Sequence, residues 1–205
     1  LWTDYLSQGG ESTSISQTTD GEFIYNYNWR QSSGFNGNPS EYASGAALRK
    51  IDTTGSTTWY KSYLGHNSFG PLITGVADWS NGVKQTLDGG YCMIGIDGTS
   101  PFLFKTNSMG DSSWANTFNY QNGRIESFEQ TSDSGFILAG SKGTGSWHSH
   151  IGDDFWVIKT DINGDTVWTQ TYGGADEDIF YSVQQTKDGG YILAGSTRSL
   201  GNGDE

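Results

Sequence analysis

The chain has 205 residues with 11 basic and 23 acidic side chains, a net charge of −12. That charge argues against nucleic-acid binding by counterion release and against attachment to an anionic membrane surface. No apolar run is long enough to cross a bilayer as a helix, while 30 Gly, 8 Trp, 11 Tyr and 10 Phe make the apolar mass aromatic.

From its start the sequence is periodic. Leu1-Trp2-Thr3-Asp4-Tyr5 lacks the basic and apolar regions of a signal peptide. Trp2 lies 57 residues before Trp59, so 1–6 read as the last strand of a preceding repeat. The first full repeat, about 12–63, carries Gln17-Thr18-Thr19-Asp20-Gly21-Glu22-Phe23-Ile24. The pattern returns as Gln85-Thr86-Leu87-Asp88-Gly89-Gly90-Tyr91 in 80–119 and as Gln130-Thr131-Ser132-Asp133-Ser134-Gly135-Phe136-Ile137 in 124–172. It opens an incomplete copy, 180–205, as Gln185-Thr186-Lys187-Asp188-Gly189-Gly190-Tyr191-Ile192. A second motif follows it three times: Lys50-Ile51-Asp52 to Gly55 and Trp59, Lys105-Thr106-Asn107 to Gly110 and Trp114, Lys159-Thr160-Asp161 to Gly164 and Trp168. Its copies stand 55 and 54 residues apart.

Within a repeat, apolar residues alternate or form short runs bounded by Gly and Asp, and none keeps helical spacing. Four strands are predicted per copy. In the third they are b at 135–141, c at 155–161 and d at 166–172, with strand a of the next copy at 181–186 and its strand b at 190–196. The a–b and c–d links are hairpin turns in which Asp bonds its own backbone and Gly takes positive φ. A four-stranded meander repeated every 55 residues or so predicts an all-β fold, a β-propeller of about three and a half to four blades, expected to form part of a larger ring.

The stretches Asp154-Phe155-Trp156-Val157-Ile158-Lys159-Thr160-Asp161 through Tyr172-Gly173-Gly174 and Gln185 to Thr197 resemble the propeller repeat of large secreted or surface-attached prokaryotic proteins, often cargo of the type IX secretion system. The resemblance covers essentially the whole chain and implies an extracellular or cell-surface location. The first copy departs most, with Glu22 in place of a Gly. The c–d turn is also similar to the sialidase Asp-box, with its Gly and Trp each displaced by one residue.

In an antiparallel meander the a–b and c–d turns share one face, and the b–c and d–a loops share the other. All large length variation falls on the second: Asp20 to Lys50, Asp88 to Lys105 and Asp133 to Lys159 span 30, 17 and 26 residues. Variable loops on a rigid scaffold are where binding sites are placed. The candidate ligand-binding residues on that face are Trp29, Arg30 and Tyr42, then His66, Phe69 and Trp79, then Trp147, His148 and His150. Rings beside polar groups suit stacking on sugars; the plainer alternative is that they pack their own loops. Asp153, Asp154, Asp176 and Asp178 are the places where Ca²⁺ would be held, a solvated acidic surface being the alternative. No other cofactor is expected.

The recurring Trp2, Trp59, Trp114 and Trp168 are expected to pack between sheets, and Asp20, Asp88, Asp133 and Asp188 to make turns. Cys92 stands where a sister copy has Ile192, as a small core residue; a single cysteine excludes an internal disulfide. No catalytic residue is nominated: hydrolase elbow, phosphate loop and zinc-protease motifs are missing, and Arg30, Arg49, Arg124 and Arg198 are too few and scattered for a sialidase triad. The expectation is a noncatalytic extracellular module for structural support or for binding glycan or protein. The alternatives are a glycosidase-like propeller enzyme and a self-assembling surface component.

Overall fold

A computed structural model describes residues 10–31, 43–64, 79–97, 100–119, 123–143 and 152–199. It contains, among these, fourteen strands and no helix. The first sheet is β1 (Gly10–Gln17), β2 (Phe23–Gln31), β3 (Ala43–Ile51) and β4 (Thr57–Leu64). The second is β5 (Trp79–Gln85), β6 (Tyr91–Asp97), β7 (Ser100–Thr106) and β8 (Ser112–Thr117). The third is β9 (Arg124–Gln130), β10 (Phe136–Gly143), β11 (Asp153–Thr160) and β12 (Thr166–Tyr172). β13 (Asp178–Gln185) and β14 (Tyr191–Thr197) form a two-stranded sheet. Each sheet runs in sequence order; the pairs β1–β2, β2–β3, β3–β4, β5–β6, β9–β10, β10–β11, β11–β12 and β13–β14 are antiparallel. Blades of four, four, four and two strands make this an all-β, β-propeller architecture.

Contacts gather the chain into two compact units: Leu1–Gly98 with Phe102–Ala115, and Thr99–Pro101 with Asn116–Glu205. Inside each, one sheet packs face to face on the next. In the first unit Ile24, Ala46, Leu48 and Tyr63 meet Val83, Tyr91, Met93, Phe102 and Phe104. Each large side chain taken out of water there contributes roughly 1.5–3 kcal/mol. Tyr63 sets its ring edge-on to Phe104 at 4.7 Å and donates its hydroxyl to the Gly110 carbonyl at 2.6 Å. In the second unit Ile137, Ala139 and Val157 close on Val183, flanked by Phe180, Tyr191 and Leu193.

The two interfaces repeat one another in detail. Val83 N–H donates to Ser14 Oγ and Val183 N–H to Ser127 Oγ, both at 3.3 Å. Trp59 tilts over Tyr91 at 5.4 Å, and Trp168 over Tyr191 at 6.0 Å. Two of the recurring tryptophans therefore pack between sheets; Trp114 is half-buried on β8, and Trp2 lies outside the described residues. Trp156, which does not recur, is the largest fully buried side chain among the described residues, its indole N–H donating to Thr169 Oγ1 at 2.6 Å.

Every first strand of a blade carries a one-residue bulge, at Thr13, Asn81, Glu126 and Tyr181. The bulge brings the strand's carbonyl close over its neighbour, and a Cβ at Gly140 would lie 2.0 Å from Arg124 O and at Gly195 2.2 Å from Ile179 O. The glycine of the recurring Ala-Gly-Ser is thereby explained.

Cys92 is completely buried in β6, and burial pushes its thiol far above the usual range. Alkylation by a small thiol reagent is expected to be undetectable in the native protein and rapid in denaturant. Native-state modification on the timescale of a free thiol would contradict this core placement.

Candidate functional site

The turns at one end of the blades are built alike. In the a–b turns Asp20, Asp88, Asp133 and Asp188 each accept, through Oδ1, the Thr hydroxyl two residues before and the N–H two residues after. Gly21, Gly89 and Gly189 take φ of 80–87°, and Ser134 takes 68° in the third copy. In the c–d turns Asp52, Asn107 and Asp161 each accept two N–H groups at 2.8–2.9 Å.

The lysine of each third strand crosses under the a–b turn of its own blade. Lys105 Nζ meets both oxygens of Asp88 at 2.9 and 3.0 Å and donates to Thr106 O at 2.7 Å. Lys159 does the same with Asp133, at 2.9 and 3.1 Å, and with Thr160 O at 2.7 Å. In the first blade Lys50 reaches Asp20 at 2.5 Å and Glu22 at 2.8 Å. The glutamine of the motif ties blades together: Gln85 Oε1 accepts from Thr19 N–H of the preceding turn at 2.7 Å while its Nε2 donates to its own Gly89 O. Gln185 accepts from Ser132 N–H in the same way at 2.8 Å. The recurring polar residues are thus consumed by architecture.

These contacts fix a pH dependence. The Asp20 carboxyl is drawn down to about 2 chiefly by the Lys50 ammonium, and Asp133 to about 2 by Thr131 and then Lys159. For Asp88 burial works against the charge, yet Thr86 and Lys105 outweigh it and hold it at about 2. An unfolded aspartate titrates near 3.8, so below that pH the unfolded chain binds more protons than the native one. Stability is expected to be flat from neutrality to about pH 4 and to fall between about pH 4 and 2. Circular dichroism during acid titration checks this, and a loss beginning near pH 6 would refute it.

At the opposite end of the second unit, the starts of β11 and β13 meet the ends of β12 and β14. Asp178 is fully buried. Its Oδ2 accepts the Gly174 N–H at 3.2 Å and its Oδ1 the Ser199 N–H at 3.5 Å. Burial opposes its charge, but the Thr197 and Ser199 hydroxyls and these N–H groups outweigh it and hold the carboxyl below the usual range. Asp154 converges on the same point: a Cβ built on Gly173 would lie 2.0 Å from Asp154 Oδ1 and 2.7 Å from Asp178 Oδ2. Asp154 Oδ1 is buried and has no hydrogen-bond partner among the described residues. Beside it Tyr172 is 55% exposed, and Phe155 stacks on Phe180 at 4.1 Å underneath. Ser199 closes the rim by accepting from Asp176 N–H and donating to Asp176 O, and Arg198 pairs with Glu177 at 2.8 Å.

Several sequence expectations are corrected here. Trp29 and Arg30 belong to β2, not to a loop; Trp29 is half-buried against the cluster of Tyr25, Tyr27, Ala47 and Ile51, because a Cβ at facing Gly45 would overlap its ring. Trp79 opens β5, paired with Ile96. Asp153 and Asp154 begin β11 and Asp178 begins β13, rather than forming a solvated acidic surface. Asp153 is buried and turned to Ser141 at 3.5 Å, away from Asp154, and Asp176 is exposed. Tyr42, His66, Phe69, Trp147, His148 and His150 lie outside the described residues. Among the described residues no group of three or more His, Cys, Asp or Glu side chains converges as a metal site would. The sequence reading missed Tyr172, Gly173, Thr197 and Ser199; the signal available was the Tyr-Gly-Gly triplet directly after a strand.

No protein-family model matches the chain, and no curated protein matches it. Among solved structures it is similar to a Bacteroides caccae protein of unknown function, at 14% identity and a TM-score of 0.56, over 95% of this chain and 56% of that one. It is also similar to a point mutant of Synechocystis apocarotenoid oxygenase, at 12% identity and a TM-score of 0.50, over 93% of this chain and 51% of that one. The chain spans about half the length of either. At such identities the likeness is one of fold, that of the β-propeller.

Proposed function

We propose that the protein is a noncatalytic extracellular propeller module that binds glycan or a surface protein at the Asp154–Asp178 end of its second unit. The observation that carries this is Asp154 Oδ1, a buried acceptor without a partner among the described residues, set beside ionised Asp178 and exposed Tyr172. An acceptor without a partner next to an exposed aromatic face suits a hydroxyl and the apolar face of a sugar ring, or a backbone N–H flanking an aromatic side chain. The secreted, surface-attached setting follows the resemblance of the repeats.

A glycan array followed by titration calorimetry tests the reading. Gly173→Ala puts a methyl group 2.0 Å from Asp154 Oδ1 and 2.7 Å from Asp178 Oδ2, so one of these buried carboxyl groups has to move. It is expected to lower stability by about 1–3 kcal/mol and to weaken binding at least about tenfold, as the loss of one charge-assisted contact would. Tyr172→Ala is expected to weaken glycan binding without changing stability measurably. Retention of no ligand on the array and in a pull-down, or turnover of a chromogenic glycoside, would refute the proposal.

A further inference from the structure

We infer that the edge of β14 left unpaired among the described residues is a docking site for a β-hairpin of this repeat's own third-and-fourth-strand type, one carrying a lysine in the position of Lys159. The inference goes beyond the ligand-binding reading and does not depend on it. Among the described residues β14 pairs only with β13, whereas β2, β6 and β10 each pair on both sides.

Three observations describe the occupant that would fit. First, β14 reads Tyr-Ile-Leu-Ala-Gly-Ser where β10 reads Phe-Ile-Leu-Ala-Gly-Ser, and β10 holds β11 in an unbroken register that sets Ile137 opposite Lys159 and Phe136 opposite Thr160. The same template on β14 sets Ile192 opposite a lysine and Tyr191 opposite a threonine. Second, Asp188 has the turn contacts of its sisters, to the Thr186 hydroxyl and Gly190 N–H, but no ammonium among the described residues. Asp20, Asp88 and Asp133 each hold one. Third, glycine is retained at Gly190 without the crowding that requires it elsewhere. A Cβ at Gly90 or Gly135 would lie 2.2 or 2.1 Å from a third-strand carbonyl and 2.5 or 2.6 Å from the lysine Nζ, but at Gly190 it would meet only Thr186 and Asp188. The edge thus has an acceptor aspartate, a cleared backbone and a strand sequence matched to one kind of partner. Backbone pairing would supply affinity and the lysine the register.

The test adds a synthetic hairpin of residues 153–172 to the 205-residue chain. Saturable binding is expected, with new hydrogen-exchange protection confined to the amides of β14. A Lys159→Met peptide is expected to bind about tenfold more weakly, as the loss of a charge-assisted hydrogen bond would. Against an Asp188→Asn chain the two peptides should bind alike. An isolated hairpin is marginally stable in water, so the same segment is also fused to the C-terminus through a Gly/Ser linker, which raises its effective concentration. The fusion should raise the melting temperature, and Lys159→Met in the fused copy should remove part of the gain. The inference is overturned if neither format protects β14, if a scrambled hairpin does as well, or if the lysine makes no difference. It is equally overturned if the chain self-associates through β14 and excludes the hairpin.

Discussion

Gly135→Ala is expected to destabilise the protein by about 3 kcal/mol, the upper range for forcing extra volume into a close-packed site. Its Cβ would lie 2.1 Å from the Thr160 carbonyl oxygen and 2.6 Å from Lys159 Nζ. The carbonyl is backbone in a paired strand, and the ammonium is anchored to that same oxygen, so neither moves without disturbing the β10–β11 ladder. For a chain of this size the cost corresponds to a fall in melting temperature of roughly 6–12 °C. Gly190→Ala, at the matching place beside β14, meets only its own turn and is expected to cost under about 1 kcal/mol. Glu22 occupies the same position in the first blade and shows what accommodates a side chain there: its carboxylate takes the lysine at 2.8 Å. Equal melting of the alanine variant and the native protein would refute the crowding.

How far the sequence alone reaches differs by element. Strand 166–172 is read from the sequence with the bounds that β12 has, because a turn with an Asp and a positive-φ Gly punctuates its start and a Gly pair its end. β13 begins at Asp178, three residues before the predicted 181, since a buried carboxylate does not look like a strand residue. Its stabilising partners sit at Gly174 and Ser199, the latter 21 residues away, where no local pattern points to them. Trp29 and Arg30 read as loop because polar residues flank them and a Ser/Gly/Asn stretch follows, yet facing Gly45 gives the indole room to lie on the sheet. The bulges at Asn81, Glu126 and Tyr181 are invisible in composition, since one added residue changes neither turn signals nor hydrophobic content. What repeats is legible; what depends on a partner far along the chain is not.

The lysine lattice makes an asymmetric prediction about its two partners. Lys159 is nearly enclosed, with its side chain 6% exposed, while that of Asp133 is 63% exposed. Removing the aspartate leaves an ammonium under the turn with the Thr160 carbonyl as its remaining hydrogen-bond partner, and breaking a buried pair in this way costs up to 3–5 kcal/mol. Because water reaches the Asp133 side of the pair, Asp133→Ala is expected to cost about 3 kcal/mol, including the turn hydrogen bonds that the carboxylate accepts. Asp133→Asn keeps those turn contacts and should recover about 1 kcal/mol of the loss. Lys159→Met removes the buried charge itself, fills the same channel with an unbranched chain and leaves Asp133 to water. Its cost is expected to be about 1 kcal/mol, that of the orphaned Thr160 carbonyl. In the first blade the asymmetry should shrink, because Lys50 retains Glu22 when Asp20 is replaced. Urea unfolding of the four variants gives the order directly: Asp133→Ala most destabilised, then Asp133→Asn, with Lys159→Met and Asp20→Asn close to native. Were Lys159→Met as costly as Asp133→Ala, the lysine would be stabilising as a charge and not merely tolerated as one, and the lattice would owe its strength to the ion pairs and not to the turns.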